Sequence, residues 1–168
     1  MRLYHGSTVI VERPRLIAPN RTLDFGIGFY TTMNRSQAVE CAGIIMPRRK
    51  EKTQFVSVYE FDMERAERAL SVLRFSGPDD AWLDFVCENR QGNYAGKAYD
   101  MIIGPIANDK VYATIGLYES GILAKEQAIE AFKINPLYDQ VVMKTEAALA
   151  LLQFCEAFDP REGSRHDG

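Results

Sequence analysis

Strand-like and helix-like segments follow one another along these 168 residues without a regular strand–helix–strand rhythm. That irregularity favours an α+β domain over a doubly wound α/β one. Strand-like runs, rich in β-branched and aromatic residues, fall at 2–5, in the second half of 23–32, and at 53–62, 72–75, 99–106 and 137–145. One helix opens at Asn34 or Ser36, carries Ala38, Val39, Ala42 and Ile45, and meets Pro47 as its stop. A short amphipathic segment covers 64–70. A longer helix opens at Pro78-Asp79-Asp80 and runs to about Asn89, with Trp82, Phe85 and Val86 on its inner face. Two helical segments at 110–119 and 123–133 are split by Ser120-Gly121. A last helix is predicted over 146–154, capped by Thr145.

The chain is long enough for one domain and short for two. Residues 1–158 are read as that domain and the polar segment 159–168 as a flexible tail. Hydrophobic residues at 46% supply one core without help from disulfides or a metal, and exclude wholesale disorder. Lys plus Arg is 20 against 23 acidic residues, which disfavours a generally basic nucleic-acid binder. No uncharged apolar run approaches the roughly 20 residues a membrane helix needs. Nor does an apolar stretch follow the charge in Met1-Arg2-Leu3-Tyr4, so neither a signal peptide nor a membrane anchor is expected, and a cytoplasmic location is. Cys41, Cys87 and Cys155 are odd in number and far apart, the pattern of reduced thiols. With only His5 and His166 available, no multi-histidine metal site is expected.

Single motifs are ambiguous. Phe25-Gly26-Ile27-Gly28-Phe29-Tyr30 is not G-x-G-x-x-G, because Thr31 holds the third glycine position, and two glycines before aromatics also make a tight turn into a strand. His5, before Gly6-Ser7, is either a hydrogen-bonded structural histidine or a functional one. Asn108-Asp109 either caps the next helix or forms a loop beside a pocket. Arg48, Arg49, Lys50 and Lys52 read as a solvated helix end, or as a phosphate or nucleic-acid contact.

Together the motifs say more. Leu3-Tyr4-His5-Gly6-Ser7, then Asp24-Phe25-Gly26-Ile27-Gly28-Phe29-Tyr30-Thr31-Thr32, then Ser36-Gln37-Ala38, resemble the start of an ADP-ribosyltransferase domain of the diphtheria-toxin and poly(ADP-ribose) polymerase type. Ile103–Asp109 and Tyr138–Val141 extend the resemblance to about residues 1–154. They are closest to an uncharacterised bacterial family of ADP-ribosyltransferase-like, toxin-like proteins. The resemblance implies a split pair of mainly antiparallel sheets around an NAD cleft, with flanking helices. It implies NAD as co-substrate, no metal, and mono-ADP-ribosyl transfer to a macromolecular acceptor, either protein or nucleic acid. A toxin role with a small antitoxin protein as partner is also implied, and no membrane.

The residue roles come from the same resemblance. His5, Tyr30 and Gln140 are the implied catalytic set, lining one cleft with Gly6 at its floor. His5, Gly6, Ser7, Tyr30, Thr31 and Asn108 are the implied NAD-binding residues. His5 would bond the adenosine-side ribose, and the backbone of Gly6 the nicotinamide carboxamide. Tyr30 would stack on the nicotinamide, with Tyr4 or Tyr59 adding to the pocket wall. The departure is Gln140, which occupies the position of the family's glutamate. Its amide oxygen accepts a hydrogen bond, but it carries no charge and cannot act as a base. Three activities suit a glutamine there: single transfer, NAD hydrolysis as a glycohydrolase, or NAD or ADP-ribose binding without catalysis. Asp139 is adjacent, and strand alternation turns it to the opposite side.

Overall fold

The computed structural model describes residues 1–18, 23–106, 109–134 and 137–162. Seven strands form within them: β1 (Arg2–Ser7), β2 (Phe29–Thr32), β3 (Phe55–Glu60), β4 (Val72–Arg74), β5 (Met101–Ile106), β6 (Tyr138–Met143) and β7 (Gln153–Phe158). The six helices are α1 (Arg35–Arg48), α2 (Met63–Ala69), α3 (Asp80–Gln91), α4 (Asp109–Glu119), α5 (Lys125–Ile134) and α6 (Glu146–Leu149). The class is α+β, with one open sheet in the order β4-β5-β6-β2-β1-β3-β7. Every neighbouring pair is antiparallel except β4–β5.

The expected pair of separate sheets is therefore one continuous sheet, but an unevenly joined one. β1 pairs with β3 along its whole length, from Arg2↔Glu60 to Ser7↔Phe55. β2 pairs with β6 from Phe29↔Met143 to Thr32↔Gln140. Between β1 and β2 the only register pair is Tyr4↔Thr32. Two ladders, β4-β5-β6-β2 and β1-β3-β7, thus meet at one point and diverge from it.

Both faces of the sheet are covered, which explains the unbroken apolar runs of β5 and β6. Ile102 and Val142 point into one cluster with Phe25, Trp82, Phe85 and Phe132, under α3, α4 and α5. Met101, Ile103, Val141 and Met143 point into a second with Leu3, Phe29 and Tyr59, against α2 and α6. Trp82 is fully buried, and its indole N–H donates to Pro105 O at 2.8 Å, so the core leaves this polar group satisfied.

The helix starts follow local capping chemistry. Asn34, Asp62, Asp79 and Thr145 each accept a hydrogen bond from a backbone N–H of the first turn. Asn34, rather than Ser36, caps α1. Pro47 sits in the last turn, and the helix runs one residue past it.

The end of the chain departs from expectation. The predicted helix over 146–154 stops at Leu149, and Gln153–Phe158 forms β7 on the edge of β3. A register shift between Val58 and Tyr59 fits this strand to its partner. Long-range pairing overrides a locally helical Ala-Leu-rich stretch here. Beyond it, Arg161 pairs with Asp159 and donates to Lys52 O at 3.0 Å. Among the described residues, no helix is long and apolar enough to cross a membrane.

Candidate functional site at the joint between the two ladders

His5 sits where β1 and β2 diverge. Its Nδ1 lies 2.7 Å from Tyr30 O, and its ring packs on Phe29 with centroids 4.4 Å apart. A carbonyl only accepts, so Nδ1 carries the proton and the neutral ring presents Nε2 as an acceptor. No partner engages Nε2 among the described residues. Burial holds the ring below the usual imidazole range. The bond to Tyr30 opposes this shift, and the charge of Arg49 adds to it. The ring is therefore neutral at pH 7.

Tyr30 is tied into its own loop. Its hydroxyl donates to Gly26 O at 2.8 Å and accepts from the Phe25 N–H at 3.1 Å. Gly26 has a φ of 70°, which a side chain would disfavour, and its N–H closes a turn onto Leu23 O at 2.9 Å. Asp24 is buried with Arg90 Nη1 at 3.9 Å, and the Arg90 guanidinium lies over the Tyr112 ring. The glycine-rich motif is thus a packed loop entering β2.

Lys144, just past β6, donates from Nζ to Phe25 O in the same loop. Burial pushes its ammonium down to about 8. The unfolded chain keeps this proton up to about pH 10.5, whereas the native state releases it near pH 8. Between those values the unfolded state binds more protons, so stability rises with pH. Urea unfolding of wild type and Lys144→Met at about pH 7 and about pH 9.5 should show the wild type gaining stability relative to the variant. Parallel behaviour of the two proteins would show that Lys144 is charged freely in both states.

Thr32 ties three elements together at the other end of β2. Its hydroxyl donates to Gln37 Oε1, lies 3.3 Å from Asp139 O, and accepts from the Asn34 N–H at 3.1 Å. Beside this junction opens a cavity of about 620 Å³, walled by the start of α1 (Met33, Asn34, Arg35, Ser36) and the start of β6 (Leu137, Tyr138, Asp139).

The predicted residues are placed as follows. Gln140 is half-buried on β6 opposite Thr32, and no hydrogen bond engages its amide among the described residues. Strand alternation puts Tyr30, Thr32 and Gln140 on one face of the sheet and His5, with Phe29, on the other. The three therefore approach the joint from two faces, and none of them lines the cavity; the expected single pocket is not formed by these side chains. Ser7 and Thr31 are buried, and the Thr31 hydroxyl donates to Val141 O at 2.6 Å. Gly6 faces α1: an added Cβ would stand 2.1 Å from Ala38 O. Tyr59 is a core residue with its hydroxyl on Val11 O. Asn108 lies outside the described residues.

A family model described as a protein of unknown function, DUF3990, matches residues 1–154. The chain belongs to the DUF3990 family. No curated protein and no solved structure matches it. The DUF3990 match spans β1 to β6 and only the first two residues of β7, so the joint and the cavity both lie inside it.

In this DUF3990 chain, sequence reasoning met Thr32 and Gln37 only as motif residues without a role of their own, and did not single out Arg35. Their signal is faint: Thr32 reads as one more strand threonine, and only the fold brings it against Asn34 and Asp139.

Proposed function

We propose that the protein is an NAD-dependent mono-ADP-ribosyltransferase acting on a macromolecular acceptor, as the toxin of a toxin–antitoxin pair. The observation that carries this reading is His5. It is a neutral imidazole of fixed tautomer, wedged at the point where two ladders part, with Nε2 left to accept from a ribose hydroxyl. The divergence of β1 and β2 is the kind of split that the resemblance implies, and it supports an ADP-ribosyltransferase fold.

The residues present suit a dinucleotide. Beside the joint lies an open hollow of about 620 Å³, lined mainly by polar side chains at the starts of α1 and β6. Arg35 and the first N–H groups of the 14-residue α1 favour an anionic diphosphate. Asn34 and Ser36 add polar groups for hydroxyls. Gln140, with an uncommitted amide on the opposite face of the sheet from His5, is the polar group that the resemblance assigns to the ribose. Loss of nicotinamide leaves a cation at the ribose, and a polar group beside it contributes in the transition state.

His5→Ala should weaken NAD binding by about 1–3 kcal/mol, the range for a lost buried hydrogen bond. Tyr30→Phe keeps the ring and removes the hydroxyl's bonds to the loop, so it should weaken binding by less. Titration calorimetry with NAD measures both. Wild-type affinity in His5→Ala, or no NAD binding by the wild type, would reject the site. One observation favours a second reading, a non-catalytic NAD or ADP-ribose binding module: Gln140 cannot ionise. NAD binding with no nicotinamide release would select it.

A further inference from the structure

We propose that the basic run just past α1, Arg49, Lys50 and Lys52, docks a nucleic-acid strand, which makes nucleic acid the acceptor. The acceptor assignment rests on the NAD-dependent reading above, whereas the docking itself does not.

The run is dense and uncompensated. Residues 48–52 hold Arg48, Arg49, Lys50 and Lys52 against one carboxylate, Glu51, and all five side chains are exposed. Away from this run, no five-residue stretch of the chain holds more than two Lys or Arg. Arg49, Lys50 and Lys52 form no ion pair among the described residues, whereas Arg68, Arg74 and Lys125 elsewhere each face a carboxylate.

Lys50 keeps its charge at a conformational cost. α1 and α3 end in the same hydrogen-bonded turn. At the end of α3, Gly92 N–H donates to Asn89 O at 3.1 Å and Asn93 N–H to Glu88 O at 2.8 Å. At the end of α1, Lys50 N–H donates to Pro47 O at 3.1 Å and Glu51 N–H to Met46 O at 3.0 Å. Gly92 has a φ of 72° and Lys50 a φ of 56°. That left-handed position belongs to glycine, and Lys50 is the one non-glycine with a positive φ among the described residues. The field of the helix end does not call for it. A cation is favourable there, but Arg48 in the last turn of α1 supplies one, as Arg90 does in α3, where glycine then takes the turn.

The run is pinned at the end of β1 toward which the ladders open. Lys52 O accepts from Arg161 Nη1 at 3.0 Å, and the Thr53 hydroxyl donates to Thr8 O at 2.9 Å. Phe55 then opens β3 opposite Ser7. β1 parts from β2 beyond Tyr4, in the direction of Ser7, so the cations stand at the open end of the split. The charge of Arg49 reaches His5, whose proton affinity it lowers. Val9 and Ile10, directly after Thr8, are exposed apolar residues that give bases a surface beside the phosphate contacts. A phosphodiester backbone carries a charge at every nucleotide, so one short strand engages all three cations. The chain's net charge of -3 offers no general attraction, and binding depends on this run.

Transfer to such a strand balances without another reagent. The bond between nicotinamide and ribose breaks, and its electron pair leaves with nicotinamide. A hydroxyl or base nitrogen of the strand supplies the pair for the new bond to the same ribose carbon, and its proton passes to solvent.

The test is fluorescence anisotropy with a labelled 20-nucleotide single-stranded RNA, and with DNA of the same sequence, titrated with the full chain. The affinity of the wild type should fall about 15-fold between 50 and 200 mM salt, the dependence of three single-strand phosphate contacts. The triple variant Arg49→Ala, Lys50→Gly, Lys52→Ala should bind at least about 10-fold more weakly, with little salt dependence left. It should melt no lower than wild type and bind NAD as well. The charge-matched control Arg65→Ala, Arg68→Ala, Arg74→Ala should keep wild-type affinity for the strand. A wild type that binds neither oligonucleotide overturns the inference. So does a triple variant that binds like wild type, a control that loses as much, or poly-glutamate that displaces the strand at equal charge. Labelled NAD incubated with lysate then reads the acceptor: label in the nucleic-acid fraction supports the assignment, and label confined to protein overturns it. A wild type that binds the strand but not NAD leaves the docking surface standing and removes the transferase reading.

Discussion

Gly6→Ala should destabilise the protein by about 3 kcal/mol, the upper end of the cost of overpacking a tight contact. The new methyl would stand 2.1 Å from Ala38 O and 2.9 Å from Ala42 N. Both atoms belong to the backbone of α1, so no rotamer change can relieve the contact. Either α1 lifts off β1 or β1 bends away from β3. Gly116→Ala is the matched control. An added Cβ there meets nothing within 4 Å, and alanine is the better helix former, so stability should rise by about 0.5–1 kcal/mol. Urea unfolding followed by the fluorescence of the single tryptophan, Trp82, reads both variants. Equal stability of Gly6→Ala and wild type would mean that α1 does not press on β1 as described. The glycine of the His-Gly-Ser motif is thus demanded by helix packing whether or not a ligand lies above it.

Gln140→Ala should lower nicotinamide release by about 10- to 1000-fold, by analogy with removing one positioned polar group from a charge-developing site. NAD affinity should fall much less, because orientation at the ribose is used mainly in the transition state. Folding stability should stay within about 0.5 kcal/mol of wild type, since no hydrogen bond engages the amide among the described residues. Gln140→Glu keeps the size and adds a charge beside the forming cation, so NAD hydrolysis should be kept or raised. Rates at saturating NAD, with the macromolecular acceptor absent and then present, give the comparison. An unchanged rate in Gln140→Ala would show that this residue plays no part in the chemistry.

Much of the fold can be read from local pattern. β5 is legible because burial on both faces leaves a continuous apolar run ending in Gly104-Pro105. α1 is legible because Asn34 caps it and small residues recur along its inner face. β7 is not, because Ala147 to Leu152 has helical character, and the strand that follows exists only by pairing with β3. The single joint between β1 and β2 is equally hidden, since nothing in either strand marks where pairing stops.

The candidate site divides in the same way. His5 stands out as the one histidine of the sequence's first 165 residues, but its tautomer depends on the Tyr30 carbonyl, 25 residues away. Gly6 and Gly26 announce themselves as glycines, while the reasons for them, a helix backbone and a positive φ, are tertiary and local respectively. Alternation along β6 turns Asp139 away from Gln140. Its place in the wall of the cavity depends on α1 packing beside the start of β6, and no spacing along the chain encodes that.

The position of β2 in the sheet also governs how the protein is made. Thr31 and Val141, which face each other across β2 and β6, are 110 residues apart in the chain. Until β6 leaves the ribosome, a nascent chain can pair β1 with β3 and β4 with β5, but it must hold β2 and β5 with bare edges. Such edges recruit other strands and invite aggregation. β6 then inserts between β2 and β5, and its pairing with the distant β2 is a closure of high contact order and hence slow. Ribosome-bound chains halted before Tyr138 should therefore remain protease-sensitive in β2 and β5. Chains extended past Met143 should acquire protection in both strands together.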